Sequence, residues 1–281
     1  MPSVELPQGT IDVVERGDGP PLLFLHGVFA GASLWDDVIA RLAGDHRCLA
    51  PTLPFGAHRS PMRPGADLSP PGVARLVVDL LDALELREAS LIANDTGGAI
   101  AQLVVARAPE RVSRLVLPSC DAYEHFPPTL IRPLKWFAAL PAVAGPALHV
   151  LRFPPASRAF LATVAKRGDA LRAQAWLEAL LADAGVRRDV LAFLRTADPA
   201  HTLGAVPALR AFDRPALVLW AADDVFFPRR DGERLAADLP RARLEVIPDS
   251  RTFLPMDQPE ATANAIAAFL AQTAAAQPAQ G

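Results

Sequence analysis

Several things are scarce in this chain of 281 residues, and each shortage narrows what it can be. It has two cysteines, Cys48 and Cys120, with no Cys-x-x-Cys and no Cys/His cluster. A disulfide framework, a structural metal and a metal cofactor are therefore not expected. Basic residues do not dominate: the net charge is -3 with the signs mixed. Nucleic acid is not an expected partner, because phosphate binding needs clustered positive charge. Long apolar runs are missing too. The most apolar window, Leu134 to Leu151, is broken by Lys135, Pro141, Gly145 and Pro146, so no membrane span is expected. Met1 to Glu5 shows neither the basic stretch nor the apolar run of a signal peptide, and a cytoplasmic location is the expectation.

Apolar residues make up 51% of the chain, enough for a sizeable core. The length suits one large domain carrying an insertion. The most informative stretch runs from Leu91 to Ile100. An apolar run ends at Asn94-Asp95, small residues (Ala93, Gly97, Gly98) crowd around it, and a helical pattern follows at once. The reading is strand, abrupt turn, helix, with Asp95 lifted from the tip and unpaired helix-terminal N–H groups aimed at it. Those groups favour the ionised carboxylate. The structural alternative is an aspartate that merely caps a helix.

With its neighbours in order along nearly the whole chain, this stretch resembles the α/β-hydrolase superfamily. Leu22 to Leu25 followed by His26-Gly27 resembles the oxyanion loop, Trp220 to Pro228 the triad-acid loop, and Ile247 to Pro255 the triad-histidine loop. Aspartate at the elbow is similar to the branch with haloalkane dehalogenases and epoxide hydrolases. The resemblance implies an α/β fold: a mostly parallel sheet with helices on both faces and an inserted helical cap. It assigns residues 1–121 and 212–273 to the core and 122–211 to the cap; 274–281 read as a disordered tail. It implies Asp95 as nucleophile, Asp224 as triad acid (four residues before Pro228), and the amides of Val28 and Thr96 as the oxyanion hole. The histidine position holds Thr252.

Helical spacing supports Ser33 to Leu42, with Ser33 as N-cap, and Pro70 to Leu84. Strands are expected at 4–6, 10–15, 22–25, 47–50, 89–93, 112–117, 216–220 and 244–247. Between Ser119 and Arg210 no strand-like alternation appears, only helical segments broken by proline and glycine. Of that segment's aromatics, Trp136, Phe137, Phe153, Phe160, Trp176 and Phe193, about a third are expected to touch ligand. The substrate-contact set is His26, Tyr123, Trp136, Trp176 and Phe226, with His26 also open to a purely scaffold role. His58 reads as a solvated loop residue.

Thr252 changes the chemistry. A hydroxyl cannot accept a proton near neutral pH as imidazole does, so an ester on Asp95 would have no adjacent base to release it. His125, His149 or His201 could substitute, Asp121 or Glu124 could bring a second carboxylate, and Arg251 could approach Asp95. Three readings stay open: a hydrolase acting on a small apolar molecule through Asp95; a lyase, isomerase or cyclase using Asp95 as acid and base; or a silent ligand-binding homologue. Monomer and homodimer are equally compatible with the sequence.

Overall fold

The computed structural model describes residues 2–140 and 147–275. Eight strands form one sheet: β1 (Ser3–Leu6), β2 (Gly9–Arg16), β3 (Pro21–Leu25), β4 (Arg47–Pro51), β5 (Ala89–Ala93), β6 (Val112–Pro118), β7 (Ala216–Ala221) and β8 (Ala242–Ile247). Their order is β1-β2-β4-β3-β5-β6-β7-β8. β2 pairs antiparallel with both β1 and β4, and the remaining pairings are parallel. The central strands read as unbroken apolar runs because both faces are covered. Alternate residues go to opposite sides. Leu23, Leu25, Leu91, Leu115 and Leu117 enter one core with Val73, Leu76 and Ile100, while Leu22, Phe24, Ile92, Val116 and Leu219 enter another with Val38, Ile39 and Ile266.

The flanking helices are α1 (Asp36–Leu42), α2 (Pro70–Ala83) and α3 (Thr96–Arg107) before the insertion. Ser69 caps α2, its hydroxyl accepting from the Gly72 amide at 3.3 Å. Ser33 does not cap α1. A 3-10 turn, Ala32–Trp35, precedes that helix, and the Ser33 hydroxyl accepts instead from Trp176 Nε1 at 2.7 Å.

Between β6 and β7 the chain leaves the sheet for α4 (Pro133–Ala138), α5 (Pro154–Val164), α6 (Ala170–Ala182), α7 (Ala184–Thr196) and α8 (Pro199–Ala211). Asp169, Asp183 and Asp198 each cap the helix they precede. Buried Asp189 on α7 ties this segment to the core by accepting from the Met62 amide (2.7 Å) and His58 Nε2 (3.3 Å). His58 is thus buried, not solvated, because its ring satisfies a carboxylate that the insertion brings down onto it. Burial opposes the charge of Asp189, yet hydrogen bonds from His58, Met62 and Arg188 hold its carboxyl below the usual range. After β7 come α9 (Arg229–Asp238), α10 (Leu254–Asp257) and α11 (Pro259–Ala275). The last helix continues through 274 and 275, where a tail was expected; 276–281 lie outside the described residues. Among the described residues, no helix is long and apolar enough to cross a membrane.

Candidate active site

The turn after β5 is held from three sides. Asp95 has φ 55° and ψ -133°, a strained backbone for a residue with a side chain. It persists because the surroundings over-determine it. The Asp95 amide donates to Ser119 O (3.0 Å), and Asp95 O accepts from the Gly98 amide (2.9 Å). Asn94 Nδ2 reaches Pro118 O, Ser119 O and Thr252 O at 3.0, 3.0 and 2.7 Å, joining the ends of two strands to the 252 loop. Glycine is required where this packing leaves no room. A Cβ on Gly98 would meet the Cβ of Cys120 at 2.3 Å, and one on Gly27 would meet Asp95 Cγ at 2.4 Å.

The Asp95 side chain opens onto a cavity of about 70 Å³ lined by Val28, Phe29, Thr96, Phe160, Phe226 and Thr252, with Pro128, Ile131, Val164 and Phe227 completing the wall. Oδ1 of Asp95 accepts from the Thr96 amide at 2.7 Å. Burial, partly offset by that bond and reinforced by the charge of Asp224, pushes the Asp95 carboxyl up to about 7. The helix-terminal amide was expected to keep it ionised; enclosure among apolar walls outweighs one N–H.

Asp224 lies on the loop after β7, behind the cavity-lining Phe226, Phe227 and Thr252 that bond to it. Its Oδ1 accepts from the Phe226 and Phe227 amides (2.9 and 3.0 Å) and from the Thr252 hydroxyl (2.9 Å). Burial raises this carboxyl too, against those hydrogen bonds. Asp223 turns away to Lys166 at 2.5 Å. A third carboxyl, Asp121, is fully buried behind Thr96, whose hydroxyl lies 2.9 Å from Asp121 Oδ2. Among the described residues, no trio of His, Cys, Asp or Glu is arranged to hold a metal ion.

Several candidate contacts lie elsewhere. His26 is wholly buried with Nε2 accepting from the Leu53 amide (2.9 Å) and Nδ1 on Gly27 O (2.8 Å). Burial drives its pKa down to about 4, so it is a neutral strut for the 27–28 loop. The Tyr123 hydroxyl donates to Asp238 (2.9 Å) under the Arg234 guanidinium, away from the cavity. Trp136 is 75% exposed on a short helix. Trp176 packs edge-on to Phe253 with centroids 5.9 Å apart, bracing the insertion on the core. Phe153 is exposed, Phe193 is buried against Phe55, and the Phe137 side chain lies outside the described residues. Phe226 and Phe160 do line the cavity.

No histidine of the insertion stands in for the absent imidazole. His125 pairs with Asp231 (2.7 Å), His201 meets Thr196 O (3.0 Å), and neither they nor His149 line the cavity. Glu124 pairs with Arg234 at the surface. Arg251 binds Ala162 O on α5 and not Asp95. The sequence reading did not single out Asn94 or the Thr96 hydroxyl. Their position beside Asp95 was the available signal.

A strained acidic elbow at the end of β5, facing an acid loop after β7 under a helical insertion, is the arrangement of one class of enzyme. The chain belongs to the alpha/beta hydrolase family, whose profile matches residues 22–265. Its relatives include haloalkane dehalogenase 2 of Mycobacterium tuberculosis, 28% identical over 92% of this chain and 91% of that protein. The 2-hydroxymuconate semialdehyde hydrolase of Pseudomonas sp. (strain CF600) is also 28% identical, over 93% and 90%. Two solved structures share the fold. Haloalkane dehalogenase DbeA of Bradyrhizobium elkani has a TM-score of 0.81 at 22% identity, covering 97% of each chain. A thermophilic esterase of Thermogutta terrifontis has 0.77 at 21%, covering 96% of this chain and 98% of that one.

Proposed function

We propose that the protein is a hydrolase for a small, largely apolar molecule, in which Asp95 takes the proton of an attacking water. The observation that carries this reading is the carboxyl pushed up to about 7 on the wall of an apolar cavity whose far side offers Thr252 and no imidazole. A proton acceptor works best when its pKa lies near the working pH. Asp95 has that property by itself, so no second base is required. Thr252 then serves only to hold Asp224, and Asp224 to hold the loop that carries Phe226 and Phe227. Cavity size and phenylalanine walls favour a compact apolar reacting group, with the Val28 amide at the same wall available to a developing oxyanion.

A second reading has its own support. With Oδ1 of Asp95 on the Thr96 amide, a covalent ester would place its carbonyl oxygen where an amide already waits, and a curated relative is a haloalkane dehalogenase. In that case Asp95 is the nucleophile. Turnover of a panel of esters, epoxides and haloalkanes in ¹⁸O-labelled water separates the two. Direct water attack puts label in the product and none in the peptide bearing Asp95. The ester route labels the Asp95 carboxyl or leaves an alkyl adduct on it. Full activity in Asp95→Asn would defeat both.

A further inference from the structure

The Thr96 hydroxyl stands between two carboxyls, 2.9 Å from Asp121 Oδ2 and 3.4 Å from Asp95 Oδ1. A hydroxyl owns one hydrogen. It can donate to one of these neighbours only, and turns lone pairs toward the other. Two ionised carboxylates around it would leave one facing those lone pairs with nothing between them. A proton on one of the pair removes the conflict, and the surroundings say which.

Asp95 has the Thr96 amide at 2.7 Å and borders the cavity. Asp121 has neither advantage. It is fully buried, and its Oδ1 has no hydrogen-bond partner. The ionisable groups that act on it are Asp95 from the elbow, Asp224 from the loop after β7 and Asp231 from α9, with no cation among them. From α3, Gln102 donates to the Asp121 backbone carbonyl at 2.8 Å and leaves the carboxyl alone. An unpaired charge enclosed in this way is among the costliest things a fold can contain, and such a group neutralises instead.

We propose that Asp121 is a positioning residue held as the neutral acid at neutral pH: it donates its proton to Thr96 Oγ1 and so frees the Thr96 hydrogen to point at Asp95. The chain Asp121–Thr96–Asp95 then gives the reacting carboxylate a second donor besides the Thr96 amide. It also spares Asp95 a like charge directly behind it. Burial and the charge of Asp95 both push the Asp121 carboxyl well above the usual range, in keeping with this arrangement. The inference takes its functional meaning from Asp95 as reacting group.

Its test does not need turnover. Protein labelled with ¹³C at aspartate carboxyls is titrated by NMR, and the Asp95 signal is identified by its loss in Asp95→Asn. In Asp121→Asn a neutral group replaces a neutral group and the side-chain amide can still donate to Thr96. The Asp95 midpoint is expected to stay within about half a unit of wild type. Loss of a buried negative charge would instead lower it by about one unit or more, and that result overturns the proposal. Thr96→Val removes the bridging hydroxyl and is expected to raise the midpoint by about half a unit, because a donor to the ionised form is gone. Thr96→Ser should restore it. No change in Thr96→Val also overturns the proposal. If Asp95→Asn keeps full turnover, the functional reading fails while the titration still decides the state of Asp121.

Discussion

Two loops line the same cavity, and they are constrained to different degrees. The elbow at 94–98 is fixed by backbone conformation, with positive φ at Asp95 and glycines where any Cβ would collide, and is tied down by the Asn94 side chain on three carbonyls. The loop at 250–253 has ordinary backbone bonds, the Asp223 amide to Ser250 O and the Phe253 amide to Val164 O, and adds two side-chain ones, the Thr252 hydroxyl on Asp224 and Ser250 Oγ on Ile247 O. A backbone constraint dictates residue types over a whole stretch. A side-chain hydrogen bond only needs a donor at one point, and threonine meets that need as well as imidazole does. The architecture therefore survives a residue that cannot accept a proton, and under the proposed function the chemistry rests on the elbow.

The largest expected effect lies at the elbow. Asp95→Asn keeps the helix cap and loses the proton acceptor, so kcat/KM should fall about 10³-fold, within the range that general-base groups contribute. Steady-state kinetics on any turned-over substrate measures it. Gly98→Ala should cost about 3 kcal/mol or more, since the new methyl meets the Cys120 side chain, itself pinned by the bridge between Asp95 and Cys120. Denaturant unfolding reads that value, and a neutral result would mean that the elbow is looser than its contacts require.

The dependence on pH sharpens the contrast further. Asp95 keeps its proton in the folded state up to about 7, whereas the unfolded chain loses it near 3.8. Its contribution to stability is therefore most favourable below about 4 and declines as pH rises through 4 to 7. His26, driven down to about 4, acts in the opposite sense: folding is penalised as pH falls from 6.5 toward 4. Comparing wild type with Asp95→Asn cancels the His26 share. The variant should gain stability relative to wild type as pH rises from 4 to 8, by up to about 4 kcal/mol, and be nearly equal to it at pH 4. Thermal unfolding at several pH values tests the sign. Activity should rise across the same window to a plateau above pH 7.

The elbow was legible in the sequence because the tightness of a turn is written into small residues next to one another. The sheet was legible because strands covered on both faces read as apolar runs. Asp224, preferred over Asp223 for its distance to Pro228, is the one of the two that accepts from Thr252. What could not be read are pairings made at a distance. His58 meets Asp189, 131 positions away, and Asp121 meets Thr96, 25 positions away. Trp136 could not be judged either, since a helix as short as Pro133–Ala138 has too little periodicity to say which way a ring turns. The exposed tryptophan reflects that shortness.

The smallest expected effect is at Thr252. Thr252→Val keeps the shape and removes the donor to Asp224, leaving that carboxyl with two amides. A lost hydrogen bond to a charged partner is worth about 1.5–3 kcal/mol. Asp224 is raised by burial and is the less charged for it, so a loss of about 1.5 kcal/mol is expected, with Thr252→Ser close to wild type. Turnover in Thr252→Val should change by less than about threefold, because the hydroxyl takes no proton in the reaction. A loss approaching that of Asp95→Asn would place Thr252 among the reacting groups and erase the difference between the two loops. The serine variant then decides whether hydroxyl chemistry or packing is responsible: recovery in serine implicates the hydroxyl, and failure to recover implicates the methyl group against the cavity wall.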